Sequence, residues 1–397
     1  MKMNVRLLFL YFTLFFAYFT VSVLLAQAEE SAINLGGFIL SNTYDNDSGV
    51  NNTDIPNFAT SDSKPAASTG TFGGTVRQSR LTLKATGPNL DEVLGNAKTS
   101  AVLEIDFLGN FPNSTFAGAQ PQPRLRLAYA KMDWSGASVT VGQDWIILAP
   151  LNPTSLAHVA IAPLSSSGNL WNRMPQIRVD QKITFNDFGK ILVTAGILRP
   201  MAGDNWTNNG SQQLDISGYG EQTTHPFYQG RIALSVNAMN QPATLGVSGH
   251  CGNENTGSGT TLETSAAVLD LTLPLGPVTL TGEAFTGKNL DQFLGGVLQG
   301  VNPTTFSEIS SNGGWSQLSF TPFPSINLNL AYGIDRPESA QLNNGDRSKN
   351  QTLTANLIWK LGPKLSSGIE YNNIKTDYKN LSSGDDNHYN LAVAYTF

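Results

Sequence analysis

The sequence predicts an all-β chain: a transmembrane antiparallel β-barrel of about sixteen strands, with short periplasmic turns and long extracellular loops. Three observations point there. Apolar and polar residues alternate with period two in many short segments, the links between those segments are tight and long by turns, and the last segment runs to Phe397. In Asn387 to Phe397, the residues Tyr389, Leu391, Val393, Tyr395 and Phe397 share one parity and His388, Asn390, Ala392, Ala394 and Thr396 the other, which is a strand with one greasy face. Charged residues are only 14% and Gly numbers 38, which suits neither a long helical protein nor a disordered one. A hydrophobic content of 40% excludes a bundle of transmembrane helices. A strand chain that is half lipid-facing and half water-facing averages to near neutral.

Residues 1–28 stand apart. Lys2 and Arg6 precede an uncharged run, Leu7 to Leu25, that exits through Ala26-Gln27-Ala28 before Glu29. A basic start, an apolar core and an A-x-A exit predict a cleaved secretory signal, leaving 29–397 as a single barrel domain. A retained membrane anchor is the alternative, because the apolar run exceeds the usual ~7 to 15 residues. Loss of Lys2 and Arg6 would make the formal charge of -6 more negative by two, and an acidic chain argues against a nucleic-acid partner. Cys251 is the only cysteine, so no internal disulfide is available.

The strands follow in order. Asn34 to Tyr44 is the first. In Gln78 to Thr86, Leu81 and Leu83 point to lipid while Arg80, Thr82 and Lys84 point to the lumen; in Ser100 to Leu108, Ala101, Leu103, Ile105 and Phe107 point out and Glu104 and Asp106 in. Arg124 to Trp134 sends Leu125, Leu127 and Tyr129 out and Arg124 and Arg126 in; Ala137 to Asp144 ends on a further lumen acid, Asp144. Pro175 to Phe185 sends Ile177, Val179, Ile183 and Phe185 out, leaving Gln176, Arg178, Asp180 and Lys182 inside. Lys190 to Leu198 follows, then Phe227 to Asn237, where Arg231 is internal opposite Tyr228, Ile232, Leu234 and Val236. Ala243 to Gly249, Thr261 to Leu273, Val278 to Thr286, Trp315 to Thr321, Ile326 to Ile334, Gln351 to Leu361, Leu365 to Lys375 and Asn387 to Phe397 alternate likewise.

The links sharpen the assignment. Gly, Pro, Asn and Asp build tight turns at 135–136, 186–189, 239–242, 274–277, 322–325 and 362–364, with 87–99 on the same side but too long, while long polar links occupy 45–77, 109–123, 145–174, 199–226, 250–260, 287–314, 335–350 and 376–386. Tight turns at one rim and long loops at the other are what a transmembrane barrel requires. An even strand count brings the last strand back beside the first and leaves no open edge.

Arg80, Lys84, Arg124, Arg126, Arg178 and Lys182 outnumber the acids on the lumen side of the first half of the barrel. Two readings stand. A basic wall attracts anions and repels cations, or the arginines brace the wall by pairing with Glu104, Asp106, Asp144 and Asp180. Loop 145–174 is rich in Ile, Leu and Val where the other long loops are polar, so it is expected to fold inward as a constriction, with an oligomer contact as the alternative. His158, His225, His250 and His388 are scattered, "DNDSG" at 45–49 lacks the distal Glu of a calcium loop, and no nucleophile or phosphate-loop motif occurs. No metal, cofactor or enzyme activity is expected.

The stretches "RLTLKATGP", "AVLEIDFLGN", "RLRLAYAKMDW", "VGQDW" with its apolar loop, "RMPQIRV" and "GGWSQLSFTPFPSINLNLAYGIDRP" resemble the outer-membrane porins, and more narrowly the DcaP-like trimeric porins. The resemblance implies a sixteen-stranded homotrimeric channel in the outer membrane of a Gram-negative-type bacterium, among its lipids and lipopolysaccharide, for small, often anionic solutes. Arg80, Arg124, Arg126 and Arg178 occupy matching positions. A final strand ending in Phe resembles the mark that outer-membrane assembly machinery recognises, which makes Phe397 the implied assembly signal. DcaP-like members can carry a coiled coil before the barrel, whereas the first strand here follows Ala28 within a few residues. The implied function is passive diffusion of small hydrophilic solutes; the alternative is a non-conducting barrel acting as adhesin or scaffold through its loops.

Overall fold

The computed structural model describes residues 32–109, 121–185, 188–202, 220–239, 241–255 and 260–397. The expected signal, 1–28, lies outside the described residues. Period-two segments pair into one sheet. Its strands are β1 (Ala32–Asn46), β2 in two pieces (Thr71–Thr75 and Arg80–Asn89), β3 (Lys98–Asp106), β4 (Arg124–Asp133), β5 (Ala137–Trp145) and β6 (Arg173–Phe185). Then come β7 (Gly189–Leu198), β8 (Phe227–Ala238), β9 (Gln241–Asn255), β10 (Thr261–Leu275), β11 (Val278–Lys288) and β12 (Ser310–Phe323). The last four are β13 (Ile326–Pro337), β14 (Arg347–Lys360), β15 (Leu365–Tyr378) and β16 (Leu381–Thr396). The sheet's 17 segments make sixteen strands, because the two pieces of β2 both lie against β1.

Every strand pairing in this sheet is antiparallel, and β16 closes on β1 from Phe38 opposite Thr396 to Asn46 opposite His388. Closure satisfies the backbone of both would-be edges, the condition for a sheet to cross a bilayer. The outer face is apolar: Leu103, Ile232, Leu234, Leu269, Leu330, Ile369, Leu391 and Val393 are exposed, while their inward neighbours Glu104, Ala233, Asp270, Ala331, Glu370 and Ala392 are buried. Hydrophobic residues thus face outward along the wall, and the buried apolar clusters form where an inner loop meets it.

Two expectations are corrected. In β4, Glu104 stands opposite Leu127 but Ile105 opposite Leu125, so Arg126 is an extra, bulged residue. Beyond the bulge every face reverses. Ala128 and Ala130, opposite Leu103 and Ala101, face lipid, and Leu127 and Tyr129 turn inward rather than outward. The reversal follows from putting Arg124 and Arg126 on the same side as Asp106 and Glu104 with one residue to spare. The second correction concerns 376–386, which is no long loop: β15 and β16 run on to Tyr378 opposite Leu381, leaving only Lys379 and Asn380 as the turn. Above the bilayer the ladder needs no apolar alternation, so the sequence pattern fades before the strands end.

Candidate pore lining and its inner loop

Residues 146–172, between β5 and β6, run inside the ring. Ile146, Ile147, Leu148 and Ala149 are buried with Met174, Leu198, Phe227 and Phe285 on the wall. An irregular backbone laid on a wall must find a partner for each peptide group, and inward side chains supply them in turn around the barrel. Gln229 Oε1 of β8 accepts from the N–H groups of Ile147 at 2.9 Å and Leu148 at 3.0 Å. Glu283 of β11 accepts from the Leu151 N–H at 2.9 Å, and Gln317 of β12 from the Thr154 N–H at 2.8 Å. Asn356 of β14 donates to the Thr154 carbonyl at 2.9 Å, and Glu370 of β15 accepts from the Ser155 hydroxyl. Gln78, between the two pieces of β2, accepts from the Val159 N–H at 2.9 Å and the Ala160 N–H at 3.1 Å and donates to the Ala157 carbonyl at 2.6 Å. On its return the segment takes a bond from Asn350 of β14 to the Ser166 carbonyl at 3.0 Å. Gly168 has φ +97, and a Cβ there would sit 2.1 Å from the Gly314 carbonyl oxygen, so close seating on the wall requires glycine at that point.

The loop's apex, residues 155–160, meets the densest charge in the barrel. Arg124 is bidentate to Asp106 at 2.6 and 3.0 Å, Arg126 bridges Glu104 at 2.8 Å and Asp106 at 2.9 Å, and Arg80 lies 3.5 Å from Glu104. The same guanidinium groups donate to loop carbonyls: Arg80 to Val159 at 2.8 Å, Arg124 to Ala160 at 3.0 Å and Arg126 to Ala160 at 3.2 Å. A guanidinium has five N–H groups in a fixed fork, so one arginine can hold a carboxylate and a carbonyl together.

The other sequence-predicted residues lie elsewhere on the wall. Arg178 joins Asp180 at 3.0 Å and Asp144 at 3.3 Å, and Arg231 joins Asp270 at 2.6 Å. Lys84 and Lys182 are exposed and make no ion pair among the described residues. A cavity of about 360 Å³ opens beside Arg178, Asp180, Lys182 and Arg231, under Ile146 and Ile147 at the start of the loop. Phe397 is 40% exposed and donates its N–H to the Gly37 carbonyl at 3.1 Å.

Two further segments approach the inner loop. Asn350 also donates to the Asn57 carbonyl at 2.7 Å, and Tyr378 donates its hydroxyl to the Ala59 carbonyl at 2.6 Å, which seats 47–70 on β14 and β15. The Trp171 N–H donates to the Phe293 carbonyl at 3.1 Å, tying 289–309 to the loop's end. Sequence reasoning missed Gln78, Gln229, Glu283, Gln317 and Glu370. Their inward parity was legible; that each holds a peptide group of one loop was not. It also missed Arg173, whose guanidinium lies between Trp145 at 5.0 Å and Trp171 at 5.2 Å, the two residues that bracket the loop.

No family model matches the sequence, and no curated protein does. Among solved structures the chain is similar to the outer membrane channel DcaP of Acinetobacter baumannii, with TM-score 0.71 and 18% identity over 94% of this chain and 100% of that one. It is also similar to an anion-selective porin from Comamonas acidovorans, with TM-score 0.58 and 13% identity over 93% of this chain and 100% of that one. A third is the trimer form of OmpT, an outer membrane protein of Vibrio cholerae, with TM-score 0.51 and 9% identity over 93% and 100%. The chain has the sixteen-stranded barrel fold of the outer-membrane porins.

Proposed function

We propose that the protein is an outer-membrane channel for passive diffusion of small hydrophilic solutes, with anions preferred, and that loop 146–172 forms its constriction. The observation that carries the reading is an apolar outer wall around a polar, ion-paired interior into which one long loop is folded. Support for anion preference comes from which tips reach water. The Arg124 side chain is 29% exposed against 0% for its partner Asp106, and Arg80 is 20% exposed against 10% for Glu104. At Arg178 and Asp180 the two are even, at 25% and 28%. Buried carboxylates under exposed guanidiniums present a positive face, and Lys84 and Lys182 add to it.

The test is the reversal potential across a planar bilayer under a salt gradient. An anion-selective sign at low salt, reduced in a Lys84→Gln/Lys182→Gln double variant, supports the reading; a cation-selective sign removes the anion preference, and absence of conductance from folded protein returns the barrel to an adhesin or scaffold role. Within the same proposal, residues 1–28 are cleaved on export, Phe397 marks the chain for the barrel assembly machinery, and the channel is a homotrimer among lipopolysaccharide. Amino-terminal sequencing should begin at Glu29, a Phe397→Asp variant should assemble poorly while still crossing the inner membrane, and cross-linking should give a trimer; intact Met1, normal assembly or a monomer would each remove the corresponding claim.

A further inference from the structure

One sequence motif is left unused by the channel: "DNDSG" at 45–49 has the opening of a calcium loop and lacks its distal carboxylate. The fold supplies one. Across the barrel seam β16 pairs with β1 as far as Asn46 opposite His388, and two residues beyond that pair Asp386 meets Ser48, 338 positions away in the chain. Asp386 Oδ1 accepts from the Ser48 N–H at 3.0 Å and from the Ser48 hydroxyl at 3.2 Å. The same hydroxyl reaches the Asp385 carbonyl. Beside them, Asp47 Oδ1 accepts from the Asn387 N–H at 2.9 Å and Asp47 Oδ2 from the Asn387 side-chain amide at 2.6 Å.

The charges here do not balance. Asp386 is 0% exposed, and its Oδ2 is buried with no hydrogen-bond partner. Its carboxyl group lies within hydrogen-bond reach of the Asp47 carboxylate. Each of the two groups spends about two of its roughly four acceptor positions on neutral donors, and among the described residues neither forms an ion pair with Lys, Arg or His. The nearest inward neighbour on β16, His388, turns its Nδ1 to Asn46 Oδ1 at 2.8 Å. Lys375, opposite Asp385 on β15, is exposed with it. Burial, with the Asp47 carboxylate beside it, pushes Asp386 up to about 7. Two carboxyl groups so placed call for a positive charge between them.

We propose that the carboxylates of Asp47 and Asp386, with the Ser48 hydroxyl and the Asp385 carbonyl, bind one calcium ion at the extracellular end of the seam between β1 and β16. Every donor is a hard oxygen, which excludes the soft-ligand metals. Calcium accepts six to eight oxygens in flexible geometry, and Asp47, which is exposed, leaves a side open for water to complete the shell. Magnesium demands near-ideal octahedral geometry, which a carboxylate pair fixed on two strands does not offer. A bound ion would join the first and last strands and hold the root of loop 47–70, where the Gly49 N–H donates to the Ala67 carbonyl and the Gly49 carbonyl accepts from the Thr60 N–H. The ion's place is structural, at the rim of the barrel and apart from the pore lining, so the proposal stands independently of conduction.

The experiment titrates calcium chloride into refolded, lipopolysaccharide-free barrel in detergent by isothermal calorimetry. One ion per chain is expected, with a Kd of about 0.1–1 mM, the range of extracellular calcium modules, and at least about tenfold weaker binding of magnesium. Asp386→Asn keeps an acceptor for Ser48 and removes one charge, so it should weaken calcium binding at least about tenfold, and Asp47→Asn should do the same. Slower migration of boiled than of unboiled samples on gels shows that each variant has closed its barrel. A second readout separates the ion from a merely structural carboxylate. Calcium should raise the melting temperature of the wild type and not of Asp386→Asn, while without calcium Asp386→Asn should melt no lower than the wild type, because one of two facing carboxylates is gone. Absence of saturable calcium binding, or affinity unchanged in both variants, overturns the site. So does an Asp386→Asn barrel that is less stable than the wild type by the same amount with and without calcium.

Discussion

At β2–β4 a charged cluster grips the inner loop: Arg80, Arg124 and Arg126 hold the carbonyl oxygens of Val159 and Ala160, whose N–H groups go to Gln78. Around β8–β12 it is gripped by its N–H groups, at Ile147, Leu148, Leu151 and Thr154, through Gln229, Glu283 and Gln317. The difference lies in what each station needs in order to exist. The buried guanidinium of Arg126 is stable only with carboxylates beside it, so the first station is a five-membered unit in which Arg80, Arg124 and Arg126 share Glu104 and Asp106. Contacts of the second station stand on separate strands and share no partner. One station is cooperative and charged; the other is a row of separate bonds.

The largest effect is expected at the first station. Arg126 is 1% exposed and serves Glu104 and Asp106 together, so Arg126→Ala leaves buried carboxylates short of a partner and should cost about 3–5 kcal/mol. Urea unfolding of the refolded barrel would measure it, and a cost below that of a single amide contact would deny the cooperative unit. The bulge at Arg126 offers the next largest effect. Ala128→Arg places a cation on the lipid face and should cost ~2–4 kcal/mol, whereas Tyr129→Arg, facing the lumen, should cost less. The opposite ranking would restore unbroken alternation along β4.

At the second station, Gln229→Ala and Gln317→Ala should each cost about 1–3 kcal/mol by leaving peptide N–H groups unpaired. Their effects should add within about 0.5 kcal/mol if the contacts are separate; strong coupling between them would erase the contrast between the two stations. Smallest of all, Lys131→Ala removes a pair with Asp133 in which both side chains are well exposed, at 31% and 49%. A change of about 0–1 kcal/mol is expected there, and a larger one would mean that ion pairing in this wall stabilises it without burial.

The barrel was legible in the sequence because its determinants are local. Alternation in stretches such as Tyr389 to Tyr395 assigns one face to lipid, and once strands must pair in a solvent that cannot hydrogen-bond them, ring closure is the remaining solution. The ion pairs of Arg124 with Asp106 and of Arg178 with Asp180 were within reach for the same reason: inward positions on adjacent or identical strands lie side by side. Parity failed at Tyr129 because a bulge is a property of two strands in register, and β4 alone carries no sign of the residue that will be left over.

What the amino-acid sequence determined by itself is therefore the ring: strand number, direction, most faces, and an apolar loop with nowhere outside to go. Where that loop lies and what holds it depend instead on contacts between residues far apart in the chain. Gln78 meets Ala160 across 82 positions of chain and Glu370 meets Ser155 across 215. Such contacts leave no periodicity behind, because any inward polar side chain of the right length could serve, and the closed wall selects the one that stands opposite an unpaired peptide group.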